Sequence, residues 1–256
     1  MTSVTQISSY KKDSFTAVAK NGKSITHDIY TLGEGTKTLI LIQELPGIGQ
    51  ETLALADQFV KNDYTVVLPH LFGPIGKTAT FRNLLRVFCM RKEFKLFATN
   101  KSSPIVDYLS ALCSEIKQKY NVKGVAVIGM CLTGNFAISL MANDAVLAGF
   151  ASQPSLPLTK QSAIHISQRE IELIKNKLDN VGPMHCGRFE GDTICSAKKL
   201  NAIDQTFNND NKKRIILHQL PGKGHSILTL DFVDKEGHPT KKAFNTVLNY
   251  FDEHLS

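Results

Sequence analysis

The most constraining feature of the chain is a short segment that joins a strand-like run to a helix-like run through a cysteine. The apolar run Gly124 to Ile128 has the length and β-branched content of a buried strand. It leads into Gly129-Met130-Cys131-Leu132-Thr133-Gly134, and Asn135 to Met141 then has the composition of a helix. A sharp turn between a strand and a helix strains the backbone of its central residue and lifts that side chain above the sheet. The segment therefore predicts an α/β sheet that carries a thiol nucleophile on such a turn.

A simpler interpretation of Cys131 stays open at this point. Cysteine is among the most buried residue types, and a cysteine between a strand and a helix often serves packing alone. Against this, the start of the following helix favours the thiolate, which is the reactive form of the side chain. The choice depends on whether the rest of the chain supplies a base and an orienting acid.

Both partners are present in the order nucleophile, acid, histidine that strand-turn-helix hydrolases use. Met184 to Asp192 is typical of a strand that runs into a loop presenting an acid, and Glu190 is a rival to Asp192 for that role. Asp192 could instead be a helix cap for a segment starting near Ser196. His225 lies in a glycine-rich loop after an apolar run. Three elements in this order predict a Cys131-Asp192-His225 triad.

These residues resemble the Cys-Asp-His triad of the dienelactone hydrolase (carboxymethylenebutenolidase) family. A further element agrees. In the segment Leu39 to Gly47, an apolar strand ends in Gln43-Glu44, and a glycine follows within a few residues. The similarity runs from about Lys37 to the C-terminus. The resemblance implies that Glu44 touches the resting thiol and helps to control its ionisation. It also implies an oxyanion hole, made by the backbone N–H groups of Leu45 and Leu132. The alternative for Glu44 is a strand-end carboxylate bound to nearby backbone.

The sequence departs from the family pattern at two places. Thr133 stands where the family has the first glycine of a pair, so we expect looser or rearranged packing between strand and helix there. Family members that cleave dienelactone have an arginine a few residues after the histidine, whereas Ser226-Ile227-Leu228-Thr229 follows His225 here. The resemblance thus implies the hydrolytic machinery without the dienelactone substrate, and Ser226 is a candidate substrate-binding residue.

Composition excludes several other classes of protein. The five cysteines are odd in number and include no Cys-x-x-Cys pair, which argues against a disulfide framework and a zinc site. The polar N-terminal residues lack the apolar core of a signal peptide, and no apolar run reaches the roughly 18 residues of a membrane span. We therefore expect a cytoplasmic protein, a monomer or homodimer, that needs no metal or cofactor and binds neither membrane nor nucleic acid.

The apolar patterns alternate between strands and helices along the chain. Asn21-Gly22 is a strong hairpin signal between two strand-like segments near the N-terminus. The later strands and helices alternate, which predicts a mostly parallel sheet with helices on both faces and an antiparallel hairpin at one edge. The predicted strands span residues 14–20, 24–31, 37–44, 64–68, 124–128, 146–151, 183–189 and 214–219. The predicted helices span residues 50–61, 104–120, 135–141, 168–178, 194–207 and 240–254. We expect one domain over residues 1–256.

The segment 73–103 is longer than an ordinary strand-to-helix connection. Its apolar residues Phe81, Leu84, Leu85 and Phe88 have helical spacing. Residues 77–101 hold seven basic residues against one acid, a net charge of +6, compared with +7 for the whole chain. The position predicts a basic helical lid beside the site, with an ordinary solvated basic face as the alternative. Its arginines, candidates for binding a substrate anion, are Arg82, Arg86 and Arg91.

The pattern as a whole predicts an α/β-hydrolase fold and an enzyme that cleaves a small ester or lactone, with anionic substrates as candidates. Cys131 would attack the carbonyl carbon, His225 would move the proton and Asp192 would orient the imidazole, with a thioester as the intermediate. The alternative is a small-molecule binding protein without catalytic activity on the same scaffold, since a fold does not fix a function.

Overall fold

The computed structural model describes residues 4–76, 103–155, 162–164 and 166–256. The strands of this part are β1 (Lys11–Val18), β2 (Ser24–Leu32), β3 (Lys37–Ile42), β4 (Tyr64–Pro69), β5 (Val125–Met130), β6 (Val146–Ser152), β7 (Met184–Phe189) and β8 (Ile215–Leu220). The α-helices are α1 (Gln50–Val60), α2 (Pro104–Lys119), α3 (Gly134–Leu140), α4 (Gln168–Val181), α5 (Ala197–Phe207) and α6 (Pro239–Leu255). None of the helices in these ranges is long and apolar enough to cross a membrane.

The eight described strands form one sheet in the order β1-β2-β4-β3-β5-β6-β7-β8. The strands from β3 to β8 pair in parallel, whereas β2 is antiparallel to both β1 and β4. The mostly parallel sheet with an antiparallel hairpin at one edge is therefore confirmed. Because the parallel strands point the same way, the loops that follow β3, β5, β6, β7 and β8 share one edge of the sheet.

Alternate residues of the central strand β3 reach two separate cores. Leu39 and Leu41 pack with α1 and α6 on one face of the sheet. Ile40 and Ile42 pack with α2, α3, α4 and α5 on the other face. A strand that is buried on both faces is continuously apolar, which explains the unbroken run of large aliphatic residues. The prediction of helices on both faces is confirmed.

Most predicted elements agree with the structure to within three residues. One of the three-residue differences is the helix expected from Ile194, which begins at Ala197 instead. The backbone N–H groups of Ile194 and Cys195 donate to the Asp192 carboxylate rather than entering the helix. The predicted amphipathic helix at Phe81 to Phe88 lies outside the described residues.

A cluster of aromatic and histidine rings packs between the sheet and α6. His185 on β7 stacks on Tyr250, with ring centroids 4.2 Å apart, and also contacts His218 on β8. The Tyr250 hydroxyl accepts a hydrogen bond from the Gly149 N–H at 3.2 Å. Burial, together with the neighbouring His218 and His254, lowers the pKa of His185 to about 4. His185 is therefore neutral in the folded protein at physiological pH.

We predict that this cluster makes the fold sensitive to acid. The pKa of His185 is about 6.5 in the unfolded chain and about 4 in the folded protein, so the unfolded chain binds the proton more tightly. The free energy of unfolding should fall as the pH drops from 6.5 towards 4, by up to about 3 kcal/mol from this residue. Urea unfolding of the wild type and of His185→Phe, which keeps a stacked ring, measures the difference. An acid-induced loss of equal size in the variant would contradict the assignment.

Candidate active site

The carboxyl edge of the parallel sheet gathers the residues that the sequence marks as chemical. Glu44 follows β3, Cys131 follows β5, Asp192 follows β7 and His225 follows β8. Ser155, which follows β6, joins them. Ligands of open parallel sheets bind at this edge, and the structure here brings an acid, a histidine and a thiol into one place.

Cys131 occupies the tight turn between β5 and α3, and it starts a short 3-10 helix, Cys131–Thr133. Its φ of 56° lies in the left-handed region, which non-glycine residues avoid and which stores strain at functional sites. The predicted strained turn is thereby confirmed. The strain persists because the surroundings leave no space: a β-carbon at Gly129 would lie 2.1 Å from the Thr133 carbonyl oxygen, and one at Gly134 would lie 2.9 Å from the Cα of Pro154.

Thr133 is fully buried, and its hydroxyl binds the turn to the neighbouring strand. The hydroxyl accepts from the Met130 N–H at 2.9 Å. Its single hydrogen has three acceptors within reach, the carbonyl oxygens of Gln43 and Met130 at 3.0 Å and that of Ile42 at 3.3 Å. The looser or rearranged packing expected at Thr133 stays a prediction, while the structure shows that hydrogen bonds hold this side chain. The Thr133 hydroxyl thus contacts both Met130, the residue before Cys131, and Gln43, the residue before Glu44.

Asp192 uses its two carboxylate oxygens for different purposes. Oδ1 accepts from the backbone N–H groups of Ile194 and Cys195 at 2.8 and 2.9 Å. Oδ2 lies 2.7 Å from Nδ1 of His225. The carboxylate thus both caps its own loop and orients the imidazole. Glu190, the rival acid, is exposed at the start of the loop, so the structure brings Asp192 and not Glu190 to His225.

Two further charged side chains hold the loops that carry this pair. Arg188 at the end of β7 is buried and donates to the carbonyl oxygens of Glu190, Asp192 and Cys195 at 2.9, 3.0 and 2.7 Å. The Asp231 carboxylate accepts from the His225 N–H at 2.8 Å, and from the next N–H along the chain. Sequence analysis did not single out either residue. A charged residue inside the predicted strand β7 was the available signal for Arg188, and nothing distinguished Asp231.

The ionisation of His225 depends on its two neighbours. Burial alone would lower the pKa of the imidazole, but the hydrogen bond to Asp192 and the nearby Cys131 thiol outweigh burial and raise it to about 10. The raised pKa favours the protonated form of His225. Its Nε2 atom has no hydrogen-bond partner of good geometry among the described residues, although the Cys131 thiol lies close enough to the ring to raise its pKa.

Glu44 lies below the histidine loop and is almost fully buried. Its Oε2 accepts from the Ser226 hydroxyl at 2.9 Å, and its Oε1 accepts from the Thr229 hydroxyl. Burial raises the pKa of Glu44, while the hydrogen bonds from Thr229 and Ser226 and the charge of His225 oppose that rise. Side-chain hydroxyls, rather than nearby backbone, thus bind this carboxyl group.

The Cys131 thiol has a different hydrogen-bond partner from the one expected. Its Sγ lies 3.1 Å from Oγ of Ser155, and the Ser155 N–H donates to the Cys131 carbonyl oxygen at 3.1 Å. Sequence analysis missed Ser155, although its position directly after the predicted strand beside β5 was a usable signal. The bond that the resemblance implies between Glu44 and the thiol is not among the hydrogen bonds of the described residues.

The remaining predicted residues fall into three groups. Leu132 lies in the first turn after β5, where backbone N–H groups lack helical acceptors, and Leu45 begins the loop after β3. The oxyanion hole stays a prediction for both. Ser226 uses its hydroxyl for Glu44, and its contribution to substrate binding stays a prediction too. Arg82, Arg86 and Arg91 lie outside the described residues. Within the described ranges, no group of three acidic, histidine or cysteine side chains is arranged to hold a metal ion.

Comparison with known proteins decides the family. The model of the dienelactone hydrolase family matches residues 31–255. The chain belongs to the dienelactone hydrolase family. The match includes every catalytic candidate of this family member, from Glu44 to His225.

Relatives and solved structures agree with that assignment. The curated protein "Hydrolase tropI" of Talaromyces stipitatus is 26% identical over 156 residues, which are 59% of this chain and 54% of the relative. The aligned region thus spans about half the length of that relative. The dienelactone hydrolase-like promiscuous phosphotriesterase P91 from metagenomic libraries superposes with a TM-score of 0.64 at 10% identity, covering 96% of this chain and 99% of P91. XC6422 of Xanthomonas campestris, an α/β serine hydrolase without lid, gives a TM-score of 0.58 at 12% identity, covering 96% and 95% of the two chains. This dienelactone hydrolase family member therefore has the predicted α/β-hydrolase fold.

The hydrogen bonds of Thr133 generate a prediction about stability. Thr133→Val keeps the shape of the side chain but leaves the buried Met130 N–H and Gln43 carbonyl without this partner. The free energy of unfolding should fall by about 1–3 kcal/mol, measured by urea denaturation. Thr133→Ser, which keeps the hydroxyl, should lose less, and the exposed Thr16→Val should change little. Equal stability of Thr133→Val and the wild type would contradict the tie between the turn and β3.

Proposed function

We propose that this protein hydrolyses small esters or lactones through Cys131, Asp192 and His225. The observation that carries the proposal is the combination of the 2.7 Å Asp192–His225 bond with a thiol on a strained turn beside the same imidazole. An acid that orients a base beside an activated nucleophile is the arrangement required for acyl transfer. Membership in the dienelactone hydrolase family supports the same chemistry.

In the proposed acylation step, the Cys131 sulfur attacks the carbonyl carbon of the substrate as a thiolate. The pKa of about 10 for His225 supports a resting state in which the proton already lies on the imidazole. The carbon–sulfur bond forms, and the N–H groups of Leu45 and Leu132 would bind the oxyanion. When the tetrahedral intermediate collapses, the bond to the alcohol oxygen breaks, and His225 gives its proton to that oxygen.

In the proposed deacylation step, water replaces the thiol. His225, now neutral, takes a proton from the water as its oxygen attacks the thioester carbonyl. The carbon–sulfur bond then breaks, the acid leaves, and the thiolate–imidazolium pair is restored. Asp192 keeps Nδ1 of the imidazole paired throughout, so that Nε2 faces the thiol and the water.

We propose that Glu44 influences the thiol through charge and through the histidine loop. Its two hydroxyl contacts connect the end of β3 to the loop that carries His225. A negative charge at this place favours the imidazolium and opposes a second negative charge on sulfur. The direct contact with the resting thiol that the resemblance implies remains a prediction.

The compartment and the alternative function also belong to this proposal. Cys113, Cys131, Cys186 and Cys195 are free thiols, which supports a reducing, cytoplasmic location. The alternative, a binding protein without catalysis, predicts no acyl-enzyme at all. The raised pKa of His225 and its paired acid favour the enzyme, because a binding site needs neither.

The first prediction from this proposal concerns the nucleophile. Cys131→Ala should lower kcat/KM for an activated ester by about three orders of magnitude or more, because the members of a triad act as a unit. The measurement is the release of p-nitrophenol from p-nitrophenyl esters. Cys113→Ala, which removes a buried thiol in α2, should keep activity. Retention of more than about a tenth of the activity by Cys131→Ala would exclude Cys131 as the nucleophile.

The second prediction concerns the charge of the substrate. Arg82 and Arg86 are four residues apart and share a face if their segment is helical, so they could bind a substrate carboxylate that the histidine loop cannot. The double change of both to Gln should raise KM for p-nitrophenyl hydrogen succinate and barely change it for neutral p-nitrophenyl butyrate. Added salt should weaken the wild-type preference for the anion. Equal changes for the two esters would remove the arginines from substrate binding.

A further inference from the structure

Ser155 is a buried hydroxyl in contact with the atom that the proposed reaction uses. Its Oγ lies 3.1 Å from Sγ of Cys131, whereas Nε2 of His225 has no hydrogen-bond partner of good geometry in the part of the chain that the structure describes. Among the described residues, the hydrogen bond of good geometry that the thiol makes is therefore the one to Ser155. The residue is 1% exposed, so bulk water does not compete for this contact.

The backbone makes this contact part of the turn rather than a chance approach. The Ser155 N–H donates to the Cys131 carbonyl oxygen at 3.1 Å. The preceding residue Pro154 packs against Gly134, where even one added β-carbon would come within 2.9 Å. Ser155 and Cys131 are thus joined by a backbone bond as well as by the contact between their side chains. The backbone bond holds Ser155 beside the sulfur independently of its hydroxyl.

We propose that Ser155 is a catalytic residue whose hydroxyl donates a hydrogen bond to the Cys131 thiolate and so sets its ionisation and its reactivity. The proposal rests on the proposed function of the site. The direction of the bond follows from the charges around the sulfur. The adjacent imidazolium of His225 holds the proton, and a thiolate can only accept, so the hydroxyl donates.

Such a bond has two opposite effects on a thiolate. It increases the fraction of thiolate at low pH, because it binds the charged form. It also reduces the nucleophilicity of each thiolate, with a Brønsted coefficient of about 0.4–0.5. A hydrogen bond that changes the ionisation equilibrium about tenfold should therefore change the thiolate's own rate about threefold in the other direction.

The test is the pH dependence of the reaction of Cys131 with 2,2′-dipyridyl disulfide, a neutral probe. Ser155→Ala should react about threefold more slowly than the wild type at the acid end of the profile, and about threefold faster on the alkaline plateau. The pH of half-maximal rate should rise by about one unit. The rate of Cys131→Ala is subtracted to remove the other thiols. Among the described residues, the ionisable groups gathered around Cys131 at this edge of the sheet are His225 after β8, Asp192 bound to it, and Glu44 after β3, and all three are kept.

The crossing of the two profiles distinguishes a role on sulfur from a structural one. Ser139→Ala is the matched control, since its hydroxyl donates to the Asn135 carbonyl in α3 at 3.3 Å, and its profile should match the wild type. If Ser155→Ala does not fold, Ser155→Gly keeps the same backbone bond and is measured instead. The proposal would be overturned if the Ser155→Ala profile coincided with that of the wild type. It would also be overturned if the rate changed by the same factor at every pH. The assay needs no ester hydrolysis, so its result is independent of whether Cys131→Ala abolishes activity.

Discussion

The strained turn at Cys131 is the constraint on which the rest of the site depends. A non-glycine residue with φ of 56° persists only when its surroundings allow no alternative. Here the close approach at Gly129 and Gly134 and the hydroxyl of Thr133 remove the alternatives. The turn therefore fixes the position of the thiol independently of Asp192 and His225.

The other groups reach the thiol because parallel strands deliver their loops to one edge. Each of these loops is bound by a polar side chain of its own: Arg188 and Asp192 hold the acid loop, Asp231 holds the histidine loop, and Glu44 joins that loop to β3. In this arrangement Nδ1 of His225 is bound to Asp192, and the Cys131 thiol lies near the same imidazole. The same bond, together with the nearby Cys131 thiol, raises the pKa of His225 and so favours the imidazolium.

The sequence predicted the parts of this structure that depend on local pattern. The order of strands and helices, the turn at Cys131 and the pairing of Asp192 with His225 follow from apolar periodicity, small residues and chain order. Contacts between distant loops could not be predicted this way. Ser155 and Asp231 act through residues that the fold alone brings near, and the Thr133 hydroxyl finds its acceptors on a strand about 90 residues away in the chain. The helix expected from Ile194 begins at Ala197 because the N–H groups of Ile194 and Cys195 donate to the Asp192 carboxylate instead.

The central claim is that Cys131 carries the acyl group of the substrate. The most direct measurement is rapid-quench mass spectrometry of the protein mixed with p-nitrophenyl acetate, followed by peptide mapping. The account predicts one acetyl group on the peptide that contains Cys131, formed within the first turnover and removed by neutral hydroxylamine as a thioester. Release of p-nitrophenol with the acetyl group on another residue, or with no acylated peptide at any quench time, would contradict it.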